Sequence, residues 1–296
     1  LLILGGVVVG AVVAFAHPAV FLWLRPFLQP AFAVAMFLLG TLVLPEQLRA
    51  FARSPSRVLA GLACQYTIMP LTAAAVALFF DDPLVRAGIV LVGCMPGAMA
   101  SNVMTLLFRG DLVLSVTLTT LATLLSPLVL AVWLPLFSSA RLRLPVGPLV
   151  WNATWMVVLP VAAGIAARAF GRRPPPGWEA FATAAASASI VLIVLVVVAS
   201  NRESLAVLGP ALGLAMLGLN LVAYGLALLA ATFLRWPPAQ RRTLVIEVGM
   251  QNAGMGSVLA LAHLGQAGAV PSAFYTALCV VTVALALPFR RKLGLD

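Results

Sequence analysis

Apolar positions run along this chain in blocks of roughly 17–25 residues, the length at which a helix crosses a bilayer. Short polar joints carrying proline and arginine separate them. Ten such blocks can be read, near 1–16, 26–44, 58–80, 84–108, 112–137, 149–170, 180–199, 209–234, 243–264 and 270–288. Pro45, Pro83, Pro145, Pro174 to Pro176, Pro237 and Pro238 mark the joints, where a missing N–H and a fixed φ stop a helix. The pattern predicts an all-α membrane protein of ten transmembrane helices. The residues left over are too few for a separate water-soluble domain.

Composition agrees. Of 296 residues 63% are hydrophobic and 9% charged, with a mean hydropathy of +1.11, whereas soluble domains run at about 45–50% apolar and about 25% charged. The net charge of +10 does not mark a nucleic-acid binder, because basic residues sit singly or in twos and threes between blocks and build no basic face. They mark topology instead. With both termini in the cytoplasm, Arg25, Arg86, Arg141, Arg143 and Arg202 lie outside and the rest of the 18 lie inside, a strong positive-inside bias. Arg53, Arg172 and Arg241 are thus expected on the cytoplasmic side, Arg143 and Arg202 on the other. Leu1 to Ala16, without a basic leader or a cleavage site, reads as a span that lacks its native start. Cys64, Cys94 and Cys279 all fall inside apolar blocks as packing residues. The preference for arginine, with Lys292 the single lysine, and the many alanines suggest a GC-rich bacterial source, and a multi-pass chain there is expected in the inner membrane.

Ten spans divide into five and five, 1–137 and 138–296, and an odd count per half inverts the second half in the membrane. Inverted repeats of this kind recur in secondary transporters. A faint echo supports the division: Met99-Ala100-Ser101-Asn102 and Gly249-Met250-Gln251-Asn252 both fall in the fourth span of their half.

Of the eight acids, Glu247 alone sits inside a span. Placing an ionised group there costs about 3 kcal/mol, so a proton or a bound cation should compensate it. The run Glu247-Val248-Gly249-Met250-Gln251-Asn252-Ala253-Gly254-Met255-Gly256 interrupts an apolar helix with polar groups and glycines. Gly93-Cys94-Met95-Pro96-Gly97-Ala98 interrupts the fourth span in the same way. Broken backbone at membrane depth is tolerated only inside protein or against a watery cavity. Ser115 and Thr119, four apart, share a helix face, and Gln65 is an amide in mid-span. Oxygen donors without thiolate or imidazole suit a hard cation. His17 and His263, near span ends, read as interfacial.

These runs, with Arg109-Gly110-Asp111, Ser115 and Gln65 ahead of Ile68-Met69-Pro70, resemble the bile acid:sodium symporter family. The resemblance implies a core domain of spans 3, 4, 5, 8, 9 and 10 and a panel of spans 1, 2, 6 and 7, with broken spans 4 and 9 crossing. It implies one sodium site at Ser101, Asn102, Ser115, Thr119 and Glu247. A second would use Gln65, Glu247 and Gln251 with backbone oxygens of Val248 and Met250. The family's Cys-Cys-Pro-Gly-Gly is here Cys94-Met95-Pro96-Gly97-Ala98, and Cys279 to Val283 lacks a polar pair carried by some relatives, so bile acid is not singled out as substrate.

The expectation is a monomeric symporter that imports an organic anion, bile acid-like or a smaller carboxylate, with two sodium ions by alternating access. The anion would lie by Ala98, Ala100, Asn102, Asn252 and Gly254, where restarted half-helices present amides. Proton coupling through Glu247, an arsenite-type permease, and a receptor or channel are the alternatives. An enzyme is not expected, since Ser101 has no histidine base nearby in sequence and no His-Glu-x-x-His occurs.

Overall fold

The computed structural model describes residues 10, 12–44, 54–137, 144–171, 174–200 and 202–286. Among them there is no β-strand, only one isolated bridge. A helical turn at Ala19–Leu22 and a 3-10 turn at Arg25–Phe27 lead into α1, Leu28–Gly40. Then follow α2 (Pro55–Ala77), α3 (Pro83–Gly93), α4 (Ala100–Leu107), α5 (Leu112–Phe137) and α6 (Val146–Phe170). The chain continues through α7 (Trp178–Ser200), α8 (Arg202–Phe233), α9 (Pro238–Gly249), α10 (Ala253–His263) and α11 (Gly265–Ala286). Seven helical segments among the described residues are long and apolar enough to cross a membrane, and α3 and α10 are shorter apolar helices. The chain is an all-helical, multi-pass membrane protein.

Local chemistry sets the ends. Asp82 caps α3, its Oδ1 accepting from the Leu84 amide at 2.8 Å, with Pro83 in the first helical position. Asp111 Oδ1 accepts from the Leu114 amide at 3.0 Å at the start of α5. Within α6 a π-helical turn over Thr154–Val158 precedes Pro160, a residue that cannot donate to the helix ladder.

Large apolar side chains such as Leu128, Leu214 and Leu285 lie on the outside, while Ser101, Ser115, Thr119, Asn220, Glu247 and Gln251 are buried. That is the distribution expected when lipid surrounds the molecule. Helices approach through small residues, as membrane packing favours. Gly88 of α3 faces the backbone of Gly268 in α11, and Gly40 of α1 faces that of Gly164 in α6. A side chain at 88 meets main chain that cannot rotate away. Gly88→Val should therefore cost about 1–3 kcal/mol and lower the Tm of the detergent-solubilised protein. Gly225→Ala, into open space, should not lower it.

The broken fourth and ninth blocks are found as helix pairs, α3 with α4 and α9 with α10. The ninth starts earlier than the predicted 243, at Pro238, which carries Arg242 into the helix. Sequence analysis assigns Arg242 to a connection, yet it is buried, and its Nη2 donates to the Arg109 carbonyl at 2.8 Å. Arg109 itself, in the connection between α4 and α5, has φ 57°. Of the expectations on charge and topology, those on Glu46, Arg49, Arg53, Arg141, Arg143, Arg172, Arg173 and 287–296 lie outside the described residues.

Candidate functional site

The two helix breaks meet. Ala98 N–H donates to the Met250 carbonyl and Asn252 N–H to the Pro96 carbonyl, both at 2.7 Å, so that Gly97 and Gln251 pair as an antiparallel bridge. Extended backbone inside a membrane protein needs partners for its N–H and C=O groups. Each break here supplies them to the other. Gly97 leaves room for the carboxylate: a Cβ there would stand 2.6 Å from Glu247 Oε2, which would have to move.

Glu247, at the end of α9, is 2% exposed. Ser101 Oγ donates to its Oε1 at 2.5 Å, Thr119 Oγ1 donates to its Oε2 at 2.7 Å, and Ser115 Oγ also bonds to Oε1. Asn102 Oδ1 lies 2.8 Å from Ser115 Oγ and 3.5 Å from Thr119 Oγ1. Ser115 has one proton and three oxygen acceptors within reach, those of Asn102, Thr105 and Glu247, so lone pairs outnumber the protons available to them. The cluster carries one formal negative charge, and among the described residues no lysine, arginine or histidine pairs with it. Nor do three His, Cys, Asp or Glu side chains gather anywhere among the described residues. An all-oxygen shell of this kind can hold an alkali cation. Sequence analysis grouped Ser101, Asn102, Ser115, Thr119 and Glu247, and the fold brings these five together.

The other predicted group is also contiguous. Gln65 Nε2 donates to Gln251 Oε1 at 3.1 Å, and Gln251 Nε2 donates to the Val248 carbonyl at 2.6 Å. The Met250 carbonyl accepts the Ala98 amide described above, which leaves it one lone pair. Gln65 Oε1 is buried and has no hydrogen-bond partner. It shares with Glu247 a tight cleft lined also by Gly61, Leu62, Leu118 and Ala122. An orphaned buried acceptor costs about 1–3 kcal/mol, a cost that a cation in the cleft would relieve.

The residues expected to meet an anion separate into two kinds. At the start of α4 Ala100 is exposed, and Ala98 and Asn102 are half-buried. At the start of α10 Gly254 is fully buried, and Asn252 spends its side chain on a cap, Oδ1 accepting from the Met255 amide at 3.2 Å. The open face of the crossing is thus the α4 side. His263, read as interfacial, lies with its Nε2 2.8 Å from Asn152 Nδ2.

Sequence analysis missed the groups behind the α9–α10 break. The Gly249 carbonyl accepts from Asn220 Nδ2 at 2.8 Å and from Tyr275 Oη at 2.9 Å, while Thr282 Oγ1 donates to Asn220 Oδ1 at 2.6 Å. A signal existed: Asn220 is the single amide side chain in α8, and intramembrane amides need partners.

Comparison with known proteins gives a consistent result. The profile described as "Sodium Bile acid symporter family" matches residues 29–208. The chain is 35% identical to an uncharacterized sodium-dependent transporter of Bacillus subtilis, YocS, over 91% of this chain and 84% of that protein. It is 28% identical to BASS1 of Arabidopsis thaliana, a chloroplastic sodium/metabolite cotransporter by its name, over 86% of this chain and 64% of that one. With human sodium/bile acid cotransporter 4 the identity is 28%, over 77% of this chain and 54% of the human one. The chain therefore spans less than two thirds of the plant and human relatives.

Proposed function

We propose that this chain, which belongs to the sodium bile acid symporter family and is a membrane transporter, not an enzyme, imports an organic anion together with sodium ions. The observation that carries the reading is the buried oxygen cluster around Glu247 at the meeting of two broken helices. A lone carboxylate among hydroxyls and amides is paired when a monovalent cation enters, and sodium is the cation named in its relatives. One ion belongs with Ser101, Asn102, Ser115, Thr119 and Glu247. A second belongs with Gln65, Glu247, Gln251 and the Val248 and Met250 carbonyls, where Gln65 Oε1 otherwise stands alone. Two sodium charges exceed the one of Glu247 and leave the crossing positive.

The anion then binds on the open side of α4, beside Ala98, Ala100 and Asn102, with Asn252 and Gly254 behind. Helix starts carry about half a positive charge and attract a carboxylate without lysine or arginine. Two inverted halves, 1–137 and 138–296, would rock about this point to expose it to either side, in a monomer with both termini in the cytoplasm of a bacterium.

Sodium and anion should raise each other's affinity by the same factor, because linkage is reciprocal. Calorimetry on the purified transporter, with a panel of bile acids and smaller carboxylates, tests this. The acid that binds should tighten with sodium, and its neutral amide should bind at least tenfold more weakly, a difference of about 1.4 kcal/mol. Equal affinity for acid and amide, or indifference to sodium, would overturn the assignment.

A further inference from the structure

Behind the crossing, three helices converge on one carbonyl. Gly249 ends α9, and the last carbonyls of a helix have no partner within it. This one takes two, Asn220 Nδ2 from α8 and Tyr275 Oη from α11. Asn220 and Tyr275 are both 0% exposed. The orientation of the Asn220 amide is fixed by chemistry: a carbonyl only accepts, so Nδ2 must face Gly249, and Oδ1 is left to take the Thr282 proton. Nδ2 also lies 3.1 Å from Tyr275 Oη.

We infer that Asn220 and Tyr275 are positioning residues of the transport cycle, which hold the Gly249–Met250 peptide so that the flanking Val248 and Met250 carbonyls point into the crossing. A peptide unit is planar and turns as a whole. Its carbonyl end is held by α8 and α11, and its N–H end donates to the Ile246 carbonyl at 2.9 Å. The ring of Tyr224 fills the place where a Gly249 side chain would stand, which closes the remaining direction. With that plane fixed, Met250 adopts φ −102° and ψ 90°, and its carbonyl reaches Ala98, while that of Val248 reaches Gln251. The hydrogen bonds of Asn220 and Tyr275 go to the Gly249 carbonyl, to Thr282 and to each other, and not to a predicted ion ligand. The clamp acts through main chain alone.

The inference rests on the sodium-coupled reading, and uptake into proteoliposomes separates the two. Asn220→Leu keeps the size and removes the donor; Tyr275→Phe removes one hydroxyl and keeps the ring. Half-saturating sodium should rise about tenfold in Asn220→Leu and about three- to fivefold in Tyr275→Phe, the scale of one lost buried hydrogen bond. At saturating sodium the maximal rate and the substrate KM should stay within twofold of the parent. A purely structural role would lower the amount of folded protein and leave the sodium dependence of what remains untouched. Tyr275→Phe serves if Asn220→Leu does not fold. Unchanged half-saturating sodium in a folded variant, or a fall in maximal rate alone, overturns the clamp and leaves the sodium-coupled reading standing. Uptake by the parent that ignores sodium overturns that reading, and the clamp with it.

Discussion

Glu247→Gln should abolish sodium-driven uptake. The carboxylate sits within hydrogen-bond reach of Ser101, Ser115 and Thr119 and carries the only formal charge of the cluster. Glutamine preserves the shape, but it replaces an acceptor oxygen with a donor and removes the charge that attracts the cation. At 4 Å and the effective dielectric of a protein site, that attraction is about 4 kcal/mol, which corresponds to roughly a thousandfold in affinity. Ser115→Ala removes one neutral ligand from a shell of several and should cost about 1–2 kcal/mol. Flux assays with and without a sodium gradient distinguish the two. Full sodium dependence in Glu247→Gln would show that the cation binds elsewhere.

Gly97→Val should have a comparable effect by steric means. The Cβ alone would stand 2.6 Å from Glu247 Oε2, and the two further methyl groups enlarge the intrusion. The carboxylate must swing off its hydroxyls or the break must open. A carboxylate displaced from the shell no longer offers the cation its attraction of about 4 kcal/mol at 4 Å, so cation binding should weaken by more than a hundredfold. Gly97→Val should therefore lose uptake. Gly147→Val, at a glycine with open space around it, should retain it. Normal half-saturating sodium in Gly97→Val would mean that Glu247 is free to leave its hydroxyls.

Much of the candidate site is legible in the sequence because its signals are local. Pro96 and the glycines around it cannot continue a helix, and an acid at membrane depth declares itself by its cost. Ser115 and Thr119 follow from the pitch of a helix. What stayed hidden depends on groups distant in the chain. Asn252 looked free to face a ligand, yet the amide of Met255 takes its oxygen. Arg242 looked like a loop anchor because its acceptor, the Arg109 carbonyl, is 133 positions away. The Gly249 carbonyl leaves no trace at all in a side-chain pattern. Only the folded chain, with donors from α8 and α11, reveals who holds it.

The bridge between Gly97 and Gln251 also restricts how such a sequence can diverge. The bridge is a single pair followed on each chain by a helix, so inserting or deleting one residue in either break shifts the pair and turns the half-helix that follows by about 100°. Gly97 would leave the Glu247 carboxylate, and Gln251 would leave Gln65. A change in the length of one break would therefore displace its partner in the other. Related sequences should accordingly keep the residue count of both breaks unchanged.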